Sequence, residues 1–226
     1  MGAPEGHRRS EVQGPRPLTL HPPYDELAVR RRLAVLDRNR KALFAALCTE
    51  HLWPLYERYA AAVGRNPADL APIVDRLWAA LAGEPVDPTF DLPVVQQQLL
   101  DEDAPGWTVG SAYVDDATAS LVYAIETWRT DDAQNAAWSA RRLHDAADHA
   151  VQAALNAEIR NGVGDGADTE ARRFAHPITQ TAIGFIADAL QAAESSPPLD
   201  WPALRQSARL KAHTWSPTTE RRPAIS

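Results

Sequence analysis

The sequence predicts an all-α fold: a single-domain orthogonal or up-down helical bundle of about six to eight helices. Three observations carry this expectation. Apolar residues return at three-and-four spacing in one segment after another. Prolines, glycines and short polar residues stand where such segments should begin and stop, and no run alternates at the period of two that a half-buried strand requires. At 226 residues the chain is long enough to bury one sizeable core. It divides into a flexible N-terminal segment (1–23), an all-helical domain (24–213) and a flexible tail (214–226).

A first helix is expected from Tyr24 to about Asn39, marked by Leu27, Leu33 and Leu36. It is crowded with Arg30, Arg31, Arg32, Arg38 and Arg40, which should be solvated or paired. The segment from Ala42 to Gly64 is the organising helix, with Leu43, Phe44, Leu47, Cys48, Leu52, Tyr56, Tyr59, Ala60 and Val63 along one stripe. Pro54 lacks an N–H and crowds the Glu50 carbonyl, which costs about 3 kcal/mol in a helix interior, so a kink near Trp53 is expected. Asn66 caps the next helix, Pro67 fills its first turn and Gly83 stops it. Its apolar face is Leu70, Ile73, Val74, Leu77, Trp78 and Leu81.

Glu84 to Gly106 is the longest irregular interior stretch, with one short helical piece near Leu92 to Leu100, and binding residues tend to sit on such loops. Helical spacing returns from Val109 to Trp128, where Ala112, Ala117, Ala119 and Ala124 allow close packing and Asp115-Asp116 form an interruption. Thr130, with Asp131 and Asp132, supplies the expected cap and dipole-compatible charges of the longest helix, Ala133 to about Arg160, whose apolar face includes Trp138, Leu143, Val151, Leu155 and Ile159. GVGDGADTEARRF reads as a charged connector. His176-Pro177 opens a helix to about Ala193, and a last helix starts near Pro202.

A net charge of −7 argues against a sequence-independent grip on nucleic acid, which needs Lys and Arg gathered on one face. The single cysteine, Cys48, rules out an internal disulfide, and its apolar stripe points to a buried thiol rather than a nucleophile. The N-terminal arginines are followed by no signal-type apolar run, and no stretch has membrane-spanning length without charge, so a cytoplasmic protein is expected. Nucleotide-cradling glycine loops, nucleophile elbows and zinc spacings are missing from the sequence, so no cofactor, no metal and no catalytic residue is assigned.

The candidates for binding are Glu50, Trp107, Asp115, Asp116, His144 and Asp148. Adjacent acids point about 100° apart on a helix, so at most one of Asp115 and Asp116 should face a core, and the two cannot clamp one metal together. In RRLHDAADHA, His144 and Asp148 are spaced to touch across one turn, as are Asp145 and His149; pairing along a polar helix face is the ordinary outcome. A histidine beside a carboxylate also suits a general base, and a metal site would need a further ligand such as Glu50 or Glu126. Trp107, Trp201 and Trp215 lie near loops as candidate exposed anchors.

Five motifs, ALCTEHLWPLYERY, IVDRLWAAL, YVDDATASLVYAI, HPITQ and LRQSARLK, resemble the YjaG-type family, a bacterial family of unknown function. The resemblance spans roughly Leu33 to Lys211 and implies an all-helical fold; it implies no catalytic residues. The longer N-terminal segment and the Gly-rich connector depart from it. Function is expected to be that of a non-catalytic module binding another protein, immunity-like in that an acidic protein masks a toxin. The alternative is a helical-bundle enzyme with a metal or acid–base site between helices, built from His144, Asp148, Glu50 and Glu126. A homo-oligomer is compatible with either.

Overall fold

A computed structural model describes residues 20–101, 103, 105–162, 169–195 and 199–215. Those residues form nine α-helices and no strand: α1 (Glu26–Leu33), α2 (Arg38–Tyr59), α3 (Pro67–Leu81), α4 (Leu92–Gln96), α5 (Val109–Thr130), α6 (Ala133–Arg160), α7 (Thr169–Ala175), α8 (Pro177–Glu194) and α9 (Trp201–Trp215). The all-α single-domain bundle is the observed architecture, with one helix more than the expected range. The connector accounts for part of the difference, since residues 169–175 are helical; residues 163–168 lie outside the described set.

Helices α2, α5 and α6 form the centre. α2 is buried without a break from Lys41 to Tyr56, and α5 nearly so from Ser111 to Ile125. α2 packs against α5, α6, α8 and α9, so no face of its middle is left for water. Small residues make this possible: Ala42, Ala45 and Ala46 on α2, Ala117 and Ala124 on α5, and Ala136, Ala140, Ala147 and Ala150 on α6 are buried, which lets backbones approach closely. Leu43, Leu52, Leu55, Leu121 and Ile125 fill the remaining space at 0% exposure, each contributing about 1.5–3 kcal/mol by leaving water. Where the three helices meet, hydroxyls satisfy one another: Thr49 Oγ1 lies 3.0 Å from Ser120 Oγ, Ser120 Oγ lies 2.6 Å from Ser139 Oγ, and Ser139 donates to the Ala45 carbonyl at 3.1 Å.

Element ends follow local chemistry. Asn66 accepts from the Ala68 N–H, His176 from Ile178, and Thr108 forms a capping box with Ser111. Four expectations are corrected. The first helix ends at Leu33, and the organising helix starts at Arg38 rather than Ala42, because Asp37 caps it by accepting from the Arg40 N–H. The cap of α6 is Asp132, not Thr130; Asp131 instead ends α5 at φ 60°. That left-handed turn is held by the nearly buried Lys41, whose Nζ donates to the Asp131 carbonyl at 2.8 Å and pairs with its carboxylate at 2.7 Å. Asp115-Asp116 does not interrupt α5, and α9 runs on through Trp215, which is 3% exposed and so belongs to the core. Conversely, Leu27, Trp138 and Ile159 are 45%, 39% and 46% exposed: the predicted stripes were wider than the surfaces that cover them. α2 continues through Pro54, which is buried.

Candidate functional site: a polar cavity between α5 and α6

Because α5 has neighbours on several sides, burial does not choose between adjacent residues on it. Asp115 and Asp116 are 6% and 2% exposed, which overturns the expectation that at most one could turn inward. Asp115 accepts the Leu100 N–H at 2.9 Å and so ties the loop after α4 to α5. Asp116 faces α6, where Arg142, Asp145 and His149 recur at helical spacing. Together with Asp148 and with Trp107, they line a cavity of about 280 Å³.

The cavity is rich in acid. Asp115, Asp116, Asp145 and Asp148 face it against one guanidinium, Arg142, and one imidazole, His149. Three of these acids have partners outside its wall: Asp115 accepts the Leu100 N–H, Arg141 lies 3.6 Å from Asp145, and Arg173 from α7 makes a bidentate pair with Asp148. Asp116 is served least well. Arg142 Nη1 donates a long hydrogen bond to its Oδ1 at 3.4 Å, while its Oδ2 is 3.3 Å from His149 Nδ1, within ion-pair range but not aligned as a hydrogen bond. Charge-assisted hydrogen bonds of good geometry close to about 2.7–2.9 Å, so both contacts are loose. Burial pushes the Asp116 carboxyl above its usual range, opposed by His149 and Arg142, while Asp116 raises His149 above the ordinary imidazole value.

Four of the six candidates, Asp115, Asp116, Asp148 and Trp107, thus meet at one cavity. The other two do not. His144 stacks on Tyr24 with ring centroids 4.9 Å apart, and its nearest carboxylate is Asp145 at 4.0 Å rather than Asp148, which Arg173 has taken. Glu50 is 0% exposed and accepts Arg205 Nε and Arg209 Nε, both at 2.6 Å, from α9. Glu126 is held by Arg129 at 2.6 Å. The enzyme site envisaged from His144, Asp148, Glu50 and Glu126 is therefore not assembled; each group has a different partner. Among the described residues, no group of three or more His, Cys, Asp or Glu side chains is placed to hold a metal ion. Of the expected anchors, Trp107 is 36% exposed, Trp201 is half-buried and Trp215 is buried. Cys48 is buried, and burial raises its thiol far above the reactive range.

Arg142 and His149 were missed as members of the site. Their signal was present: positions 142, 145 and 149 form a polar stripe at three-and-four spacing, and half-burial shows it turned toward α5.

No protein-family model and no curated protein matches the chain. A solved structure does: the crystal structure of a DUF416 family protein from Shewanella baltica OS155 aligns with a TM-score of 0.61 at 16% identity, over 82% of this chain and 93% of that one. At that identity the likeness shows a shared fold. No helix among the described residues is long and apolar enough to cross a membrane.

Proposed function

We propose that the chain is a non-catalytic protein-binding module that seats a lysine or arginine side chain of a basic partner in the cavity between α5 and α6. The observation that supports this is Asp116: a carboxylate 2% exposed, in an acid-rich cavity, with its two partners at 3.3 and 3.4 Å. A cationic side chain entering there would supply the close counter-ion that the fold leaves out. The segment beside the cavity suits an interface. Phe90 is 84% exposed, Val94 45%, Leu99 37% and Val109 38%, and Trp107 belongs both to this segment and to the cavity wall. Large apolar side chains exposed along one stretch of the chain, with an aromatic in the cavity wall, suit a protein interface. The immunity-like form of this reading, with a basic toxin as partner, and the YjaG-type assignment both belong to the proposal.

The test is capture from lysate by the wild-type chain, identification of what is captured, and titration of that purified protein against wild type, Asp116→Asn and Phe90→Ser. A basic partner whose affinity falls tenfold or more with Asp116→Asn supports the reading. Capture of nothing, or equal affinity for all three chains, contradicts it. An enzyme reading survives only in relocated form, because His149 rather than His144 lies beside Asp116, with Nδ1 3.3 Å from Oδ2. Its mark would be turnover: a captured molecule chemically altered by the wild-type chain and unaltered by His149→Gln.

A further inference from the structure

Building on the reading of the cavity between α5 and α6 as the seat of a partner's cationic side chain, we infer that His149 is its gate: the cation reaches Asp116 by displacing the imidazole, and a proton on the ring holds the gate shut. Asp116 Oδ2 and His149 Nδ1 lie 3.3 Å apart and both are closed off from water, so the ring covers the oxygen. The Asp116 side chain lines the cavity yet is only 2% exposed, so an incoming cation makes a full ion pair with it only if one of the groups over it moves. Arg142 donates to Oδ1, and its side chain is 28% exposed. His149 makes no aligned hydrogen bond with Oδ2, and its side chain is 43% exposed. The imidazole therefore has the weaker hold and solvent to turn into.

The titratable and charged groups around the ring are Asp115 and Asp116 of α5, Arg142, Asp145 and Asp148 of α6, and Arg173 of α7, which is paired to Asp148. Asp116 raises the ring above the ordinary imidazole value, against the opposing effect of partial burial, and Asp145 and Asp148 add to the rise. With no cation in the cavity, the imidazolium is thus a counter-ion of Asp116. A guanidinium or ammonium seated on Asp116 reverses this. It takes over the carboxylate and sets a like charge beside the ring, which then releases its proton to solvent. Seating the cation and protonating His149 oppose each other, and by linkage each weakens the other by the same factor. Affinity should rise as pH climbs through the titration of the ring and level off above it. Asp116, which burial holds above its usual range, acts in the same sense, because a neutral carboxyl attracts no cation; the ring's own midpoint separates the two effects.

The test is a pH titration of the His149 ring resonances in the full chain, alone and saturated with N-acetyl-arginine amide. The midpoint should fall by about one unit or more on saturation, a coupling of tenfold or more, and affinity should be at least tenfold higher at about pH 8 than at about pH 5.5. At about pH 8, His149→Arg, which keeps its charge, should bind the probe at least tenfold more weakly than His149→Gln, which carries none. Both substitutions sit at a half-exposed position where folding is not at risk. Saturable binding with an unmoved ring midpoint, or equal affinity of His149→Arg and His149→Gln, would overturn the gate and leave the cation seat standing. No binding at any pH would overturn the seat and the gate together.

Discussion

Glu50 and Asp116 are both buried carboxylates near the middle of central helices, one on α2 and one on α5, yet they are treated in opposite ways. Glu50 receives two guanidinium groups at 2.6 Å each, so its desolvation is repaid and it fastens α9 to the core. Asp116 is nearly as deeply buried, but its arginine and histidine stop at 3.4 and 3.3 Å and a cavity opens beside it. Burial of a charge therefore does not mark a site in this fold. Incomplete service of a buried charge is the feature on which the proposed site rests, since a poorly paired buried group calls for an explanation.

This comparison breaks most visibly at Glu50. Glu50→Ala removes the shared acceptor of two arginines and should cost about 3–5 kcal/mol, as for other broken buried pairs. In a chain of this size that is a fall in melting temperature of roughly 6–20 °C, measurable by circular dichroism. If Glu50→Ala melted like the wild type, the clamp described for α9 would be wrong.

His51 gives the next largest effect, and it depends on pH. The ring is 3% exposed, stacked on Phe185 at 4.1 Å, with Nδ1 2.7 Å from the Leu47 carbonyl, and burial lowers it from 6.5 to about 4. The folded value lies below the unfolded one, so as pH falls the unfolded chain takes up the proton first. Its contribution to stability is full above about pH 6.5 and drains away toward pH 4, about 3 kcal/mol in all. Urea titrations across that window should show a steeper loss for the wild type than for His51→Phe; parallel curves would contradict the buried neutral ring.

Asp116 supplies the contrast. Asp116→Asn keeps the shape and removes a charge that the fold barely compensates, so stability should stay within about 1 kcal/mol of wild type in either direction, while the proposed partner is lost. A collapse like that of Glu50→Ala would make Asp116 a structural group after all. Smallest of all, Phe90→Ser at an 84% exposed position should change stability by less than about 0.5 kcal/mol, a shift that equilibrium unfolding would place inside its error.

The same contrast explains what could be read from the chain alone. Periodicity and caps such as Asn66, Pro67 and His176 are local signals, and they placed most helices. Lys41 and Asp131 could not be paired in advance, because their contact depends on how α5 turns into α6. Asp115 and Asp116 were singled out as unusual in an apolar helix, which was legible; that both are buried was not, since it follows from neighbours on several sides of α5. Spacing suggested that His144 would meet Asp148, but Arg173, from a helix expected to be a connector, had the better geometry. Arg205 and Arg209 lie 155 and 159 residues from Glu50 along the chain, and nothing in the pattern of α9 reveals that its arginines turn inward.

The most direct measurement is a nuclear magnetic resonance titration with N-acetyl-arginine amide, a cationic side chain freed of any partner, following the His149 ring and the Trp107 indole. Saturable shifts at both residues in the wild-type chain, absent with the uncharged norvaline analogue and absent in folded Asp116→Asn, are the predicted result. No saturable shift, or the same shift in Asp116→Asn, would contradict the assignment of this cavity to a basic side chain.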